Sequence, residues 1–427
     1  MRPVHTRKAF DTVETATTRR TVPGTLIATA VLITSVAPLA TDMYVPAFPE
    51  LAHDLSASTT GVQLTLTTFF VGMALGQLLG GPVSDQRGRR APLVLGTIGV
   101  TLGSIACALA PSIGVLAVAR FLQGLAGGWA MVVVRAVLVD LARGSRLVRV
   151  LNLISGIGGI ALIAGPMLGG AIVQFSVWRT SFWLVATAGV AMTVCVLLFV
   201  PETLTEERRH GGGLRSFTAS AGAVLADRRY VGYVVVASAM MLVVFAYVSS
   251  SAFILENVNG LGPIEYSIDF AGNAAAASIA ALLAARLASR VPTRRVIGVG
   301  QAIGVAGAVA LLGAGLVLHS ALIPVVGAFL ALMLSHGLST ANAGALASAQ
   351  VPDHPGTGSA VLGLFQWLAA GIGAPIAGLL GSDLTTAAAQ LALAGLLISL
   401  LGFLVLARSR RVREPRTGGR RPAMVRD

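Results

Sequence analysis

Two charged residues inside long apolar runs are placed where they could carry proton chemistry. Asp42 lies about 18 residues into the first apolar run, and Arg120 lies about eight residues into the fourth. Because successive membrane spans run in opposite directions, both side chains fall in the same half of a bilayer. Burial favours the neutral form of a carboxyl group, whereas a nearby arginine favours the ionised form. The pair therefore predicts a proton-coupling site whose carboxyl group gains and loses a proton as its access to water changes.

Each of these residues also has a simpler interpretation. Arg120 can satisfy its guanidinium group with backbone carbonyls, or extend it to the membrane surface. Asp42 can lie at a helix end that is already in water, because Pro46 and Pro49 follow closely and can end the span. An ionisable residue within a span is costly and usually functional, so the proton-coupling site is the preferred hypothesis.

A second group of charges surrounds the short turn between the second and third apolar runs. Asp85 lies at the carboxyl end of its own helix, where the helix dipole is already negative, so it needs a cation. Arg89 is the nearest cation, and Asp140 at the end of the fourth run can complete a charge cluster. The alternative is a topological anchor that only holds this turn on one side of the membrane.

Other residues are candidates for contact with a substrate. Arg135, a second cation in the fourth run, can attract an acidic or carbonyl-bearing molecule, pair with a backbone break, or lie at the membrane interface. A binding site for varied apolar molecules needs aromatic and methionine side chains with a few polar groups. The predicted substrate-binding residues are Tyr44, Phe70, Met73, Trp129, Arg135, Tyr247, Phe253, Asn342, Gln366 and Trp367.

The runs that carry these residues predict an all-α integral membrane protein. Of the 427 residues, 55% are hydrophobic and only 11% are charged, whereas soluble proteins average about 25% charged residues. The 50 glycines are typical of helices that pack closely in lipid. Apolar runs without alternation do not form barrel strands, so transmembrane helices are expected.

Twelve runs are long enough to cross a bilayer, and two weak echoes indicate an internal repeat. Gly165-Pro166 is echoed by Ala374-Pro375, and Arg89-Arg90 by Arg294-Arg295, at offsets of about 205 to 209 residues. Two lobes of six helices are typical of secondary transporters. The predicted spans are 24–47, 61–83, 91–110, 113–140, 148–173, 179–200, 230–254, 264–288, 295–318, 321–346, 357–380 and 384–406. The predicted domains are a tail (1–23), a first lobe (24–200), a linker (201–229), a second lobe (230–406) and a basic tail (407–427).

The net charge of +13 follows from arginines in turns and tails, and it predicts no nucleic-acid partner. Arginines cluster after every even-numbered run except the tenth, near Asp353, and at the end of the chain, which predicts that both termini are cytoplasmic. A cleaved signal peptide is disfavoured because many spans follow the first run. Cys107 and Cys195 lie within spans and predict neither a disulfide nor a metal site.

Three motifs resemble those of major facilitator superfamily transporters. Residues 81–90, GPVSDQRGRR, resemble the loop between the second and third helices, and residues 120–124, RFLQG, resemble the fourth-helix motif. Residues 165–170, GPMLGG, resemble the fifth-helix motif of the exporting, proton-antiporting branch, in the residues Gly165, Pro166, Gly169 and Gly170. These glycines also suit a purely structural packing helix, which Pro166 can bend. The resemblance implies that Asp85, Arg89 and Asp140 latch one conformation shut.

Further stretches resemble the bicyclomycin/chloramphenicol resistance (Bcr/CflA) drug exporters. They are residues 41–49, 135–140, 178–203 and 247–255, so the resemblance covers roughly residues 25–405. One departure is Val139, where the family has an arginine, and this change weakens the expected charge cluster. The resemblance implies proton-driven, alternating-access efflux of hydrophobic drugs or antibiotics. It also implies a monomer in the cell membrane that needs protons, a small hydrophobic substrate and lipid, but no cofactor or metal.

Two other functions stay open on the sequence alone. An exporter of one endogenous metabolite, such as an amino acid, a sugar or a secondary metabolite, would carry the same motifs. A membrane enzyme or sensor is disfavoured, because the sequence has no H-E-x-x-H motif, no nucleotide-binding P-loop and no appended soluble domain.

Overall fold

A computed structural model describes residues 23–142, 144–206, 209, 213–287, 290–352, 355–379 and 383–407. Within these residues the chain is helical, and twelve helices have at least 18 residues. Ten of the long helices are apolar enough to cross a membrane. The other two, Gly144–Phe175 and Pro355–Leu379, contain the shorter apolar segments Ile163–Phe175 and Thr357–Gly373. The predicted tails lie outside the described residues, apart from residues 23 and 407.

The helices follow the predicted spans closely. Those of the first half are α1 (Gly24–Asp42), α2 (Phe48–Asp54), α3 (Thr59–Arg87), α4 (Arg90–Ala108), α5 (Ile113–Leu141), α6 (Gly144–Phe175) and α7 (Arg179–Phe199). Next comes α8 (Gly213–Ala226). The second half has α9 (Arg228–Ala252), α10 (Pro263–Leu287), α11 (Thr293–Leu316), α12 (Leu322–Ser348), α13 (Pro355–Leu379) and α14 (Leu384–Leu401).

The first span continues past its two prolines. A 3₁₀ turn, Val45–Ala47, joins α1 to α2, and each proline lies in the first turn of a helical segment. Proline is tolerated there because the first N–H groups of a helix have no intrahelical partner. The chain therefore stays helical to Asp54, and Asp42 is only 4% exposed. The interpretation of Asp42 as a helix end in water is wrong.

The predicted linker, 201–229, contains a helix, α8, that the sequence analysis above does not predict. Helix α8 packs against α3, α9 and α13, so it contacts both halves of the chain. Its Val224 is buried in one apolar cluster with Tyr230 and Val351. A single apolar stripe in a polar segment is enough to hold a short helix against a larger body.

Helices α3 and α5 pack with their backbones almost in contact. A Cβ atom on Gly72 or Gly76 of α3 would collide with the backbone of α5 at residues 121 and 125. A Cβ atom on Gly124 or Gly128 of α5 would collide with the backbone of α3 at residues 69 and 73. Small residues four apart on both helices allow this approach. In lipid the hydrophobic effect does not drive helices together, so close van der Waals contact of this kind holds α3 and α5 in place.

The twelve long helices form two lobes that meet along two seams. Helices α1 and α3–α7 pack with each other, as do α9–α14, and between the lobes α3 packs on α13 and α6 on α10. Helix α3 runs from Thr59 to Arg87 and crosses the whole bundle. We therefore call the two ends of the bundle the Thr59 end and the Arg87 end. Near the Thr59 end, Gln63 Nε2 donates to the Ser249 carbonyl oxygen of the other lobe at 3.1 Å. The lobes are thus closed together at the Thr59 end.

The close approach of α3 and α5 predicts that alanine substitution destabilises the protein at Gly76 but not at Gly313. Gly76→Ala should lower the free energy of unfolding in detergent by about 1–3 kcal/mol, because its Cβ overpacks the contact with α5. Gly313→Ala in α11 meets nothing within 4 Å and should be neutral or slightly stabilising. Denaturant titration of both purified variants measures this, and equal stability of the two would contradict the packing.

Candidate functional site

Arg120 is completely buried in the first lobe and is held by uncharged groups. Its Nη1 donates to the Ala40 carbonyl oxygen at 3.0 Å and to Gln123 Oε1 at 2.8 Å. Gln123 in turn donates to Ser104 Oγ at 2.7 Å. Three aromatic rings lie 4.3 to 5.6 Å from the guanidinium carbon and stabilise the cation with their faces: Phe69, Tyr44 and Phe182.

The expected pairing of Asp42 with Arg120 is not present. Within the described part of the chain, no ion pair joins Asp42 to a cation. Its Oδ1 accepts from the Thr41 hydroxyl at 3.1 Å, and its Oδ2 is buried without a hydrogen-bond partner. The reason is geometric, since Arg120 is already engaged by the Ala40 carbonyl, two residues before Asp42, while Asp42 packs against Gly165 of α6.

Asp42 faces the seam between the lobes. The 3₁₀ turn Val45–Ala47, which closely follows Asp42, packs on α9 and α10 of the other lobe. The buried Tyr247 hydroxyl of α9 has the Asn273 side chain of α10 as its polar neighbour. An uncompensated, buried carboxyl group at the contact with the other lobe is suited to take up a proton or a polar ligand group.

Three of the predicted substrate-binding residues, Phe70, Trp367 and Tyr247, belong to two aromatic groups, one across the lobes and one within the second lobe. Phe70 of α3 stacks on Trp367 of α13 at 5.5 Å and meets the edge of Phe245 of α9 at 4.3 Å. Tyr247 stacks on Phe270 at 5.5 Å and meets Phe329 at 4.8 Å. The first group crosses from one lobe to the other, so it can contact a molecule that lies between them.

Other predicted contact residues are placed inside lobes or at the closed end. Met73 packs under Gly127 between α3 and α5, and Trp129 donates from Nε1 to the Pro92 carbonyl oxygen of α4 at 3.0 Å. Phe253 lies 5.9 Å from Phe48 across the lobes near the Thr59 end. Tyr44 bonds to Thr65 at 2.9 Å, next to Arg120. Their role in binding stays a prediction.

Three polar candidates remain more accessible. Asn342 and Gln366 are half-buried, and Asn342 donates to the Leu338 carbonyl oxygen at 2.7 Å. Arg135 is exposed and lies two helical turns beyond Gly128, on the side of α5 that faces α3. The strongly exposed apolar residues Val118 and Leu122 lie on a different side of the helix. Arg135 therefore points toward the space beside α3 and not toward lipid.

The predicted charge cluster forms at the Arg87 end. Arg89 Nη1 lies 2.5 Å from Asp85 Oδ1, and its Nε lies 3.0 Å from Asp140 Oδ2. Arg89 also donates to Ser84 Oγ at 2.7 Å. Thr203, just after α7, donates to Asp140 Oδ2 at 3.0 Å. The described contacts all lie in the first lobe and at the start of the linker, so the latch between conformations stays a prediction.

Glu202 joins this cluster to the start of α4. Its carboxylate accepts the backbone N–H groups of Arg89 (2.8 Å), Arg90 (3.2 Å) and Leu204 (3.0 Å). Partial burial opposes ionisation, but the backbone donors outweigh it and hold the pKa of Glu202 below its ordinary value of 4.5. An anion at a helix amino terminus is favourable, so Glu202 fixes the turn that presents Arg89.

The structure adds carboxyl groups of the second lobe that the sequence reading missed. Glu256 lies in the π-helical turn Phe253–Val258, and Asp269 lies in α10, where its Oδ2 accepts from Asn273 Nδ2 at 3.0 Å. Asp269 could have been found as an acid inside the predicted span 264–288, by the same criterion that selected Asp42. Glu256 lies between the predicted spans 230–254 and 264–288, so the same criterion does not select it.

Comparison with known proteins places the chain in one family. The sequence profile of the Major Facilitator Superfamily matches residues 30–268. The chain is 32% identical to the uncharacterized MFS-type transporter YdgK of Bacillus subtilis, over 80% of this chain and 85% of that protein. It is 31% identical to the bicyclomycin resistance protein homolog of Haemophilus influenzae, over 58% of this chain and 62% of that protein. It is 28% identical to the multidrug resistance protein MdtL of Escherichia coli, over 79% and 86%.

The fold is that of a solved transporter as well. A bacterial homologue of the human lysosomal transporter Spinster, in an inward-facing and unoccupied conformation, matches with a TM-score of 0.69. The match covers 90% of this chain and 95% of that one at 16% identity, which establishes the shared fold. The predicted all-α, multi-pass membrane fold and the family resemblance are confirmed.

The separate environments of Arg120 and Asp42 predict unequal effects on stability. Arg120→Ala should lower the free energy of unfolding by roughly 2–5 kcal/mol, because it leaves a cavity and removes the donor to Ala40 and Gln123. Asp42→Asn should change it by less than about 1 kcal/mol, because no cation loses a partner. Denaturant titration of single and double variants in detergent checks this. In an ion pair, losing either partner costs as much as losing both. Equal destabilisation by both single variants and the double variant would therefore show that Arg120 and Asp42 are paired, contrary to this prediction.

The contacts of Glu202 predict a pH-dependent contribution to stability. Because its pKa is lower in the folded protein, the carboxylate stabilises the fold above about pH 4.5, and this contribution is lost as the pH falls through the lowered value. Glu202→Gln should therefore be less stable than the native protein by about 0.3–1 kcal/mol near pH 7. The gap should close in acid. Glu206→Gln is the control, because that side chain is 87% exposed, and thermal unfolding against pH is the measurement.

Proposed function

Because the chain belongs to the Major Facilitator Superfamily, and is therefore a membrane transporter, we propose that it exports hydrophobic drugs or antibiotics in exchange for protons. The observation that carries the proposal is Asp42, a buried carboxyl group at the seam between the lobes that no cation among the described residues pairs with. The named relatives in drug and bicyclomycin resistance support a hydrophobic substrate for this chain.

In the proposed cycle, Asp42 is protonated while the lobes are closed around it, since an unpaired carboxylate in a dry interior is costly. When water reaches the seam from the Arg87 end, the proton leaves and the substrate enters. Phe70, Phe245 and Trp367 supply apolar surface from both lobes, and Arg135 supplies a charge for carbonyl-bearing or acidic groups. Proton and substrate therefore alternate at one seam.

Arg120 acts in this proposal as a positioning residue. It ties α5 to the carbonyl oxygen of Ala40, one half-turn before Asp42, and so sets where the carboxyl group lies. Its Nε and Nη2 atoms have no hydrogen-bond partner among the described residues, which leaves donors for the ionised form of Asp42. The charge cluster of Asp85, Arg89 and Asp140 holds the Arg87 end of the first lobe in one arrangement.

The membrane orientation is part of the same proposal. Arg87, Arg89 and Arg90 lie at one end of the bundle, together with Arg228 and Arg229 at the start of α9. The positive-inside rule assigns this end to the cytoplasm, and the Thr59 end to the outside. The protein then works as a monomer in the plasma membrane with both termini inside, driven by the proton gradient without a cofactor.

Export predicts a defined effect of Asp42→Asn on drug accumulation. Efflux-deficient cells that express the native chain should accumulate several-fold less chloramphenicol or ethidium than cells with empty vector, and a protonophore should abolish the difference. Asp42→Asn should raise accumulation to the vector level, since the amide cannot carry a proton. Asp42→Glu, which keeps a carboxyl group, should retain part of the export. Immunoblots of the membrane fraction show that all variants are present in equal amounts.

Two results would count against this function. Full export by Asp42→Asn would place the coupling carboxyl group elsewhere. Failure of the native chain to lower the accumulation of any tested drug would overturn drug export in favour of a single-metabolite exporter.

A further inference from the structure

A buried hydrogen bond joins the two lobes at the Thr59 end. Gln63 lies about one turn into α3 and is completely buried. Its Nε2 donates to the carbonyl oxygen of Ser249, a residue of α9 that is also completely buried, at 3.1 Å. Donor and acceptor belong to different lobes, so this bond is made only while the lobes are together at this end.

The acceptor is available because α9 changes its winding just beyond it. In a regular α-helix the Ser249 carbonyl oxygen would accept from the N–H group of Phe253, four residues on. The Phe253 N–H group donates instead to the carbonyl oxygen of Ser250, and the helix continues as the π-helical turn Phe253–Val258. The Ser249 oxygen therefore lacks its usual α-helical donor, and Gln63 supplies one. Such turns within helices are frequent at functional positions.

The second lobe holds this acceptor in place. The neighbouring Ser251 hydroxyl shares a hydrogen bond of 2.9 Å with the Tyr266 hydroxyl of α10, and both side chains are buried. Within the π-helical turn, Asn259 Nδ2 donates to the Ile254 carbonyl oxygen at 2.9 Å. The irregular part of α9 is thus fixed to its own lobe, so the Ser249 oxygen is presented at a defined position.

On the first lobe, helix α2 is fixed in the same way. Trp178 Nε1 donates to Asp54 Oδ2 at 2.8 Å, and Arg179 Nη1 lies 2.5 Å from the same oxygen, so α2 is bound to the start of α7. At the other end of α2, the ring of Phe48 lies 5.9 Å from that of Phe253 in the second lobe. Helix α2 therefore moves with the first lobe.

The other described contacts at this end are less directional. A Cβ atom on Gly170 of α6 would collide with Ser267 of α10, so these helices touch by shape alone. A buried amide–carbonyl bond adds a requirement, because a closed end without the donor would leave the Ser249 oxygen unsatisfied by Gln63. Once the lobes part, water can satisfy both groups. A bond that exists in one of two conformations shifts their ratio by its net free energy.

We propose that Gln63 is the gate residue of the Thr59 end, and that its amide binds the carbonyl oxygen that the π-helical turn leaves without its usual donor. This gate takes only alternating access from the proposed function. It would act for any transported molecule, with or without proton exchange.

Pulsed electron paramagnetic resonance on the purified full-length protein in lipid nanodiscs tests the gate. His53→Cys in α2 and Asn257→Cys in the π-helical turn place one spin label on each lobe at exposed positions. Cys107→Ala and Cys195→Ala remove the native thiols. The native Gln63 protein should show mainly the short distance of the closed end. Gln63→Met, which keeps the length of the side chain and removes the donor, should raise the ratio of long to short distances about fivefold.

Gln301 of α11 is a matched control within one lobe. It is buried, its Nε2 donates to Ser399 Oγ of α14 at 2.8 Å, and its Oε1, like that of Gln63, has no partner among the described residues. Gln301→Met should reduce thermal stability but leave the distances between the labels at their native values. Gln63→Asn keeps the amide but shortens its reach by one methylene group, so it should shift the distances in the same direction as Gln63→Met.

The gate and the proposed export fail in different measurements. Native distances in folded Gln63→Met and Gln63→Asn proteins would refute the gate, and so would an equal shift in Gln301→Met. These distances are measured without substrate or a proton gradient. Absence of drug export by the native chain would overturn the proposed function while leaving the gate to be decided by the distances.

Discussion

The free-energy cost of placing charged groups inside a bilayer explains how the charged residues of this chain are surrounded. Arg120 is permanently charged, and the fold surrounds it with a carbonyl oxygen, an amide and three aromatic faces. Arg89 lies at the end of the bundle and is neutralised by two carboxylates. Asp42 and Asp269 have no such compensation in the described structure. Each of these two fixed charges is thus compensated at least in part, although Arg120 keeps two nitrogen atoms without a described partner, whereas the uncompensated acids can become neutral.

Because the helices of a lobe pack closely, a change of protonation at one residue can move the lobe as a whole. The glycines of α3 and α5 lock two helices of the first lobe backbone to backbone, so they behave as one body. The lobes meet mainly at the seams of α3 with α13 and α6 with α10, and the segment Val45–Asp54 adds contacts with α9, α10 and the turn Phe253–Val258. A change of protonation at the α6 seam therefore acts where the two bodies can separate, and not inside either one.

Much of this fold could be predicted from sequence, because apolar runs of span length and basic turns are local signals. The charge cluster of Arg89 was predictable for the same reason, since Asp85 is one helical turn away. The partners of Arg120 were not, because a backbone carbonyl such as that of Ala40 leaves no signal in the side-chain pattern. Pro46 and Pro49 indicated an early end of the first span, but each begins a new helical segment instead. Proline ends a helix or begins one according to its position in the turn, and the sequence does not show that position. The contact of Gly170 with Ser267 depends on the packing of two distant helices, which a single sequence does not encode locally.

The two arginines of the predicted repeat lie at equivalent helix starts but have different partners. Arg294 occupies the position in the second lobe that Arg89 occupies in the first, yet its described acceptors are uncharged: the Tyr233 hydroxyl at 2.8 Å, the Phe403 carbonyl oxygen at 3.3 Å and the Ala407 carbonyl oxygen. A bond to carbonyl oxygens does not change with protonation, whereas the bonds of Arg89 to Asp85 and Asp140 depend on charge. The first lobe therefore carries the electrostatic cluster at the Arg87 end. At the seam on the other side of the membrane, by contrast, the first lobe supplies Asp42, an acid that no described cation neutralises, which is the arrangement required if closing that seam is to depend on a bound proton.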